Sequence, residues 1–361
     1  MQSLLFLQHP IFFGDGMTAK KYTAAIIGTG RIGFTLGFDK KREQPASHTM
    51  ALLSNKRIQI VAGCDSDAEN LARWHKYVPK ASVFSDCKEM LSSVSADIVV
   101  VAVNEDAHKS CAIAAIKSNP KLVILEKPVA LNTIEGNEIK TAAEEAGVPV
   151  LINHERRFAC DYRIAKNYIS KIGAIQTVNA RLDSGFYVYN PEKESNGEYS
   201  LLHDGTHLVD IVMFLLEDCD NPSEPVLKNL KISDIFYDKK ISGVVRNLNV
   251  HAQNEKCSDI NLFFSGRSRF FGFEIEIIGT EGRIRIGNGL FEFFSRQESK
   301  LYTGFYSLLP DKKIKRPSKT GYFTNMVQNC VDFLDGNANL RSTLQTGLNT
   351  LQILEEIKKF F

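Results

Sequence analysis

The stretch Tyr22-Thr23-Ala24-Ala25-Ile26-Ile27-Gly28-Thr29-Gly30-Arg31-Ile32-Gly33 carries a short apolar run directly into three glycines spaced as G-x-G-x-x-G. A continuous apolar run is typical of a strand buried in a parallel sheet. Glycines at this spacing allow a tight turn, let a pyrophosphate approach the backbone, and bring the free N–H groups of the next helix close to the strand. A plain strand-to-helix turn is the alternative. We predict a dinucleotide-binding turn with contacts from Gly28, Thr29, Gly30, Arg31, Ile32 and Gly33.

Strand and helix patterns alternate from this turn to residue 152. Four further apolar runs begin near residues 58, 97, 121 and 148, and each is followed by a polar residue. Helical patterns lie between them at 67–77, 86–93, 107–118 and 133–146. This alternation predicts a parallel sheet covered by helices on both faces, so that residues 20–152 form a doubly wound α/β domain of the Rossmann type.

The pattern changes after residue 152. Strand patterns rich in β-branched and aromatic residues occupy 174–189, 227–239, 242–254, 258–265 and 269–278. A helical pattern near 204–216 interrupts them, and two more follow at 322–335 and 343–359. Residues 153–361 are therefore predicted to form an α+β domain with a large, mostly antiparallel open sheet and C-terminal helices. Residues 1–19 are predicted to be a poorly ordered leader.

The composition argues against several functional classes. Lys plus Arg total 44 and Asp plus Glu total 42 among 361 residues, so the chain lacks the basic excess that nucleic-acid binding needs. No apolar run reaches the roughly 18 residues of a membrane span. The seven cysteines are scattered without a C-x-x-C pair, which indicates reduced thiols in a cytoplasmic protein. Because histidines and carboxylates also lack metal-ligand spacing, we predict no metal site.

Asp65 ends the second strand pattern, where a dinucleotide-binding unit carries an acidic residue that hydrogen-bonds the adenosine ribose. It stands farther from the glycines than usual because residues 38–56 form an insertion. Ser66 and Asp67 follow it, and neither can pair with a 2′-phosphate. The sequence thus favours NAD over NADP. The alternative for Asp65 is an N-cap of the next helix.

The triplet Glu126-Lys127-Pro128 follows the fourth strand pattern, at the edge where open α/β sheets bind ligands. A lysine here would lie beside the nicotinamide ring in a partly desolvated place, which suits it to proton transfer. We predict that Glu126 and Lys127 contact the cofactor and that Lys127 also contacts substrate. The alternative is a surface lysine.

Together these motifs resemble those of the Gfo/Idh/MocA oxidoreductase family, over residues 20–361. Val103 to His108 resembles the family's T-P-x-x-x-H cofactor loop, with Val103 and Asn104 in place of Thr and Pro. The resemblance implies cofactor contacts from Val103, Asn104 and His108. It also implies NAD(P)-dependent oxidation or reduction of a sugar, polyol or related hydroxyl compound. The second domain would bind substrate and form a homodimer or homotetramer through its sheet.

The segment from Leu202 to Asp210 resembles the family's D-x-G-x-H-x-x-D helix. When His207 is aligned, His203 falls on the family's Asp position, and Asp204 stands beside it. The resemblance implies that Lys127 and His207 handle the proton of the substrate hydroxyl, and it leaves open whether His203 or Asp204 replaces the family's Asp. His203 and His207 would share one helix face, whereas Asp204 would point elsewhere or cap the helix.

Other histidines and aromatic residues give further expectations. His154 and Arg156 follow the fifth strand pattern and are expected to contact substrate, together with Lys127, His203 and His207. His48 and His75 have no partner in view and are predicted to lie at the surface. Phenylalanines in the second half predict an uncovered apolar sheet face and hence a homo-oligomer. They are Phe263, Phe264, Phe270, Phe271 and Phe273.

Two other functions remain open. A hydrolase or lyase that uses tightly bound NAD as an internal redox cofactor would keep the same motifs and release no NADH. A non-catalytic regulator that senses a dinucleotide would keep Gly28, Gly30 and Asp65 but would not need Lys127. The triplet that contains Lys127, together with His207, favours catalysis.

Overall fold

The computed structural model describes residues 20–196, 199–218 and 222–361. The predicted leader, residues 1–19, lies outside the described residues. Strands of the described chain form two sheets. None of its helices is long and apolar enough to cross a membrane.

The first sheet is parallel and lies in the N-terminal part of the chain. Its strands are β1 (Tyr22–Ile27), β2 (Ile58–Cys64), β3 (Ser82–Phe84), β4 (Ile98–Val101), β5 (Leu122–Leu125) and β6 (Val150–Ile152). They pair in the order β3-β2-β1-β4-β5-β6. The winding direction changes between β1 and β4, so the carboxyl ends of these strands border a crevice. The predicted doubly wound fold is confirmed.

Helices follow the strands of this sheet. They are α1 (His48–Ser54), α2 (Ala68–Tyr77), α3 (Cys87–Ser93), α4 (His108–Lys117) and α5 (Thr133–Ala146). Side-chain N-caps start several of them, for example Asn132, whose oxygen accepts from Glu135 N before α5. Gly147, at φ +64°, ends α5 in the left-handed conformation expected of a C-cap glycine. Helix α1 lies inside the segment that the sequence suggested only as an insertion.

The second sheet has eight strands. They are β7 (Ile175–Asp183), β8 (Lys228–Tyr237), β9 (Val245–Gln253), β10 (Ile260–Ser265), β11 (Gly272–Gly279), β12 (Gly282–Gly287), β13 (Leu290–Glu298) and β14 (Tyr306–Pro310). Their order is β14-β13-β12-β11-β7-β10-β9-β8, and β7 and β10 are parallel while the other neighbours are antiparallel. The predicted mostly antiparallel open sheet is confirmed.

The remaining helices cover the inner face of the second sheet and return to the first sheet. They are α6 (Cys160–Ile169), α7 (Ser200–His203), α8 (Gly205–Leu216), α9 (Tyr322–Leu334) and α10 (Leu344–Lys358). Phe323 and Met326 of α9 share an apolar core with Tyr22 and Ile26 of β1. Asp335, just after α9, accepts a hydrogen bond of 2.7 Å from the Tyr22 hydroxyl. The C-terminal helices thus complete the packing of the N-terminal sheet.

The outer face of the second sheet is polar. Along β12, Ile284 and Ile286 are buried, whereas Arg283 and Arg285 point to the other face. Arg285 lies 2.9 Å from Glu292 on the neighbouring strand, so charged side chains pair across this face.

The prediction of an apolar outer face is wrong. Phe264 and Phe273 are 0% and 1% exposed in the core, because successive strand residues alternate between two faces. Phe263 lies beneath the Arg181 guanidinium, 4.5 Å from ring centroid to carbon. The exposed members of the set lie in the turn before β11 and are Phe270 and Phe271. The homo-oligomer stays a prediction that rests on the family resemblance.

Candidate active site

A cleft of 1360 Å³ lies at the carboxyl ends of the first sheet's strands. One wall is formed by the glycine turn, the end of β2, the loop after β4 and the residues after β5. The opposite wall comes from the segment after β6, from α7 and α8, and from Tyr322 at the start of α9. Because drug-sized ligands occupy about 300–1,000 Å³, this cleft has room for a larger ligand or for two ligands side by side.

Each glycine of the turn has its own steric reason. Gly28 has φ +93°, and a Cβ there would stand 2.4 Å from Ala102 O. A Cβ on Gly33 would stand 2.0 Å from Gly28 O, so this glycine permits close packing. A Cβ on Gly30 would meet only Asn70 Nδ2, at an ordinary contact distance of 3.7 Å, so the protein leaves this part of the backbone accessible to a ligand.

The segment after the glycines is not the regular helix that the sequence predicted. It continues as a turn and a short 3-10 helix, Thr35–Phe38. The N–H groups of His48 and Thr49 in α1 donate to the carbonyl oxygens of Ile32 and Gly33, at 3.0 and 2.9 Å. In a regular α-helix these carbonyls would accept from Leu36 and Gly37, which instead donate to the carbonyls of Arg31 and Phe34, so the packing of α1 competes with helix formation here.

Asp65 connects the end of β2 to the glycine turn. Its Oδ2 accepts from Thr29 N at 2.8 Å and from the Thr29 hydroxyl at 3.1 Å. The N-cap of α2 is Asp67, which accepts from Glu69 N and Asn70 N, so the alternative reading of Asp65 as that cap is wrong. Thr29 is fully buried. It therefore supports the turn from behind, whereas Asp65 lines the cleft.

Basic residues also line the cleft. Arg31 and Arg42 both line it, and Arg42 comes from the insertion at 38–56. Its Nε lies 3.5 Å from Asp39 Oδ2. The sequence next to Asp65 thus has no basic residue, but the cleft that Asp65 lines does contain two.

The loop after β4 contributes Val103 and Asn104 to the cleft. His108, predicted to contact the cofactor, is 1% exposed. Its Nδ1 lies 2.6 Å from Pro128 O and its Nε2 lies 3.2 Å from Val103 O. Burial lowers the pKa of His108, so its ring is neutral and its single N–H can donate to only one of these carbonyls; the shorter distance favours Pro128 O, in the turn after β5.

Glu126 reaches the cleft from a buried hydrogen-bond cluster. His48 Nε2 lies 2.6 Å from Glu126 Oε1, and Asn153 Nδ2 donates to the same oxygen at 2.6 Å. Burial would raise the pKa of Glu126, but the bonds from His48 and Asn153 and the charge of Lys127 outweigh it, and the pKa is lowered. The predicted surface position of His48 is wrong, because α1 turns its fully buried ring toward the residue after β5.

The Lys127 ammonium crosses to the opposite wall. Its Nζ donates to the backbone carbonyl of His203 at 2.9 Å. The helix predicted through this region is divided, because α7 ends at His203 and α8 begins at Gly205. Asp204 joins the two helices and makes no side-chain cap bond. Lys127, His203, Asp204 and His207 nevertheless line one cleft.

Two histidines of this wall differ in their surroundings. His203 Nδ1 lies 2.7 Å from Glu105 Oε1 of the loop after β4. The pKa of His207 is well below its ordinary value because of burial and because of the nearby charges of Arg156 and Lys127. His207 is therefore neutral at neutral pH.

The structure separates the two residues predicted after β6. Arg156 lines the cleft, with its guanidinium carbon 4.2 Å from the centre of the Phe273 ring. His154 is 1% exposed, and its Nε2 lies 3.2 Å from Thr206 Oγ1. Burial lowers the pKa of His154 to about 4, with Asp210 opposing the shift. This burial leaves His154 no surface for the substrate contact that the sequence predicted.

Several cleft residues had no signal in the sequence. Glu105 lies in the family-like loop at a variable position, and its partner is 98 residues away. Aromatic and amide side chains from distant segments also line the cleft; they are Tyr162, Phe271, Asn288 and Tyr322. Among residues 20–196, 199–218 and 222–361, no group of three His, Cys, Asp or Glu could hold a metal ion.

Comparisons with known proteins agree with this picture. Residues 22–154 match the model of an oxidoreductase family with an NAD-binding Rossmann fold. The scyllo-inositol 2-dehydrogenase (NADP(+)) IolW of Bacillus subtilis (strain 168) is 23% identical over 77% of this chain and 80% of its own length. The D-glucoside 3-dehydrogenase of Escherichia coli (strain K12) is 26% identical over 56% of each chain, so the match spans about half of that relative.

Solved structures share the fold over nearly the whole chain. The WlbA dehydrogenase from Bordetella pertussis, solved in complex with NADH and UDP-GlcNAcA, superposes with a TM-score of 0.69. The match covers 94% of this chain and 96% of that one at 19% sequence identity. Identity this low supports a common fold and does not extend to the ligands.

Proposed function

The chain belongs, through residues 22–154, to the Gfo/Idh/MocA oxidoreductase family, and on that premise we propose that it is an NAD-dependent dehydrogenase of a sugar or polyol. The observation that carries this proposal is the convergence of Lys127, His203 and His207 on the cleft that the glycine turn borders. Dehydrogenation of a secondary alcohol removes a hydride from carbon and a proton from oxygen. The glycine turn of the cleft suits the dinucleotide that would exchange the hydride, and the three side chains suit the handling of the proton.

The residues of the cleft fit a dinucleotide. Gly30 leaves open the space through which a pyrophosphate would approach the backbone, and Asp65 presents a carboxylate at the end of β2. Val103 and Asn104 would border the nicotinamide half, together with Lys127. When bound, the nicotinamide supplies the hydride acceptor or donor.

Lys127 and His207 would manage the hydroxyl proton. The Lys127 ammonium, fixed by the His203 carbonyl, can stabilise the negative charge that develops on the substrate oxygen. The neutral ring of His207 borders the same space and can hydrogen-bond the substrate hydroxyl. Arg156 and Tyr322 border the same space and would orient the substrate's other hydroxyl groups.

The preference for NAD rests on Asp65. Its carboxylate would hydrogen-bond a ribose hydroxyl and repel a 2′-phosphate, whereas Arg31 and Arg42 could attract one. Titration with each dinucleotide separates these effects, and we expect NAD to bind more tightly. If NADP binds more tightly and Arg42→Gln abolishes that advantage, the insertion and not Asp65 determines the cofactor.

A substrate screen tests the function. Inositols, aldoses, D-glucosides and 1,5-anhydro-D-fructose would be offered with NAD, NADH, NADP and NADPH while nicotinamide absorbance is followed. We expect a change in absorbance with at least one polyol or sugar. Turnover of a glycoside with no net formation of NADH would instead support the internal use of bound NAD. Tight dinucleotide binding with no turnover of any kind would support the alternative of a non-catalytic regulator that senses a dinucleotide.

A further inference from the structure

Glu105 makes a contact across the cleft that no sequence motif predicted. It follows β4 in the loop of the first sheet, whereas its partner His203 ends α7 on the opposite wall. The distance from Glu105 Oε1 to His203 Nδ1 is 2.7 Å. The Glu105 side chain is 15% exposed and that of His203 is 38% exposed, so the bond is largely shielded while the ring still reaches the cleft.

The charge of Glu105 determines which ring nitrogen carries the proton. Burial would raise the pKa of Glu105, but the hydrogen bonds from His203 and from its own backbone N–H, together with the charge of Lys127, contribute to lowering it to about 2. The carboxylate is therefore ionised and can only accept hydrogen bonds. His203 Nδ1 must then be the donor, and in the neutral ring Nε2 keeps its lone pair.

The backbone of His203 adds a second constraint. Its carbonyl oxygen accepts from Lys127 Nζ at 2.9 Å, so the residue that Glu105 orients also positions the lysine. Asp204 occupies the junction between α7 and α8 and makes no cap bond there. The contacts thus favour His203 over Asp204 as the group that replaces the family's Asp.

We propose that Glu105 is a positioning residue that holds His203 in the Nδ1–H tautomer, so that Nε2 can accept a proton during substrate oxidation. This inference rests on the proposed dehydrogenase function. In the step itself, the substrate O–H bond breaks and an Nε2–H bond forms, while the hydride would leave carbon for the oxidised dinucleotide of the proposed function, which is the two-electron acceptor. The positive charge that forms on the ring is neutralised by Glu105, which keeps its own oxygens unprotonated, as in other carboxylate–histidine pairs.

Nitrogen-15 NMR of the full chain labelled at histidine tests the tautomer without any substrate. The His203 signals would be assigned by their loss in His203→Asn. We expect the Nδ1–H form in the wild type and a shift toward Nε2–H in Glu105→Gln, since a neutral amide can turn its NH₂ toward Nδ1. An Nε2–H ring in the wild type, or an unchanged tautomer in Glu105→Gln, would overturn the proposal.

A double-mutant cycle tests the consequence for catalysis, with the substrate that the screen identifies. Glu105→Gln should lower kcat by about 10²-fold, in the range of general acid–base groups. Dinucleotide Kd should stay nearly constant, which a general loss of structure would not permit. His203→Asn should lower kcat similarly, and adding Glu105→Gln to it should cost nothing more, because the two act as a unit.

The control is Glu138→Gln, which removes an exposed carboxylate of α5 and should leave kcat unchanged. Full additivity of the Glu105 and His203 effects would contradict the proposal. Failure of the wild type to turn over any compound in the screen would count against the dehydrogenase function, whereas the NMR result decides the role of Glu105 independently.

Discussion

Two buried polar clusters lie beneath the cleft, and the neighbouring residues Asn153 and His154 belong to different ones. The first, which we call the cofactor-side cluster, consists of His48, Glu126 and Asn153. The second, the substrate-side cluster, consists of His154, Arg157, Asp210 and Glu217. The short segment after β6 therefore supplies one residue to each cluster.

The clusters differ in charge and in access to the cleft. In the cofactor-side cluster, two donors hold one carboxylate, and Glu126 itself lines the cleft. In the substrate-side cluster, Arg157 bridges Asp210 and Glu217 at 2.9 Å each, and these side chains are 1% exposed. We infer that a break in the first changes ligand binding, whereas a break in the second changes mainly stability.

The largest effect is expected at Lys127, next to the cofactor-side cluster but outside it. Lys127→Met keeps most of the side chain and removes the ammonium that donates to His203 O. Turnover should fall by about 10²–10⁴-fold, while unfolding and dinucleotide binding stay close to wild type. Steady-state kinetics and a dinucleotide titration check this. Wild-type rates in the variant would show that Lys127 takes no part in catalysis and would support the alternative of a non-catalytic regulator.

Arg157→Met should cause the largest loss of stability. It leaves Asp210 and Glu217 buried without their guanidinium, and breaking such a pair costs about 3–5 kcal/mol of unfolding free energy. The adjacent Arg156→Met is the matched control. It removes a guanidinium stacked on Phe273 and should cost about 1 kcal/mol. Equal urea midpoints for the two variants would show that the substrate-side cluster is not the stabilising one.

Much of the fold could be predicted because its signals are local. The apolar run from Ile58 to Cys64 is β2 as the structure has it, and the helical pattern at 133–146 is α5. Helix α1 was missed because it has only seven residues and lies in a segment that reads as an insertion. Its place is set by bonds from His48 and Thr49 to the glycine turn, which a local pattern does not encode.

The candidate site likewise has one part that the sequence predicted and another that it did not. The residues that border the cofactor side are contiguous motifs, and Asp65 and Lys127 stand where strand ends predict ligand contacts. Pairs such as His48 with Glu126 and Glu105 with His203 join positions 78 and 98 residues apart, and no spacing rule connects them. His154 and Arg156 are two residues apart, yet only Arg156 lines the cleft, because the short 3-10 helix at Glu155–Arg157 turns their side chains apart.

His48→Leu tests whether the cofactor-side cluster communicates with the cleft. The variant fills the buried space but leaves the Glu126 carboxylate with one donor fewer, which should cost about 1–3 kcal/mol of stability. Dinucleotide affinity should also fall, since Glu126 lines the cleft. In a Glu126→Gln background the same substitution should cost much less. If dinucleotide affinity is unchanged in His48→Leu, the cofactor-side cluster contributes only to stability, as we infer for the substrate-side cluster.

The smallest effect is a pH dependence of stability from the substrate-side cluster. Burial lowers the pKa of His154 to about 4, below the 6.5 of an unfolded histidine, so between these values the unfolded chain binds the extra proton. Unfolding free energy should therefore fall as pH drops from 6.5 toward 4, by at most about 1.4 kcal/mol per pH unit for this residue. The pKa values of His108 and His207 are lowered as well and add to the same slope.

His154→Gln should make the slope shallower, whereas His251→Gln, on the outer face of the second sheet, should not. Urea titrations at pH 6.5 and 5.5 compare the two variants. Identical slopes in wild type and His154→Gln would mean that His154 is protonated in the folded protein, paired with Asp210 as part of the ion network.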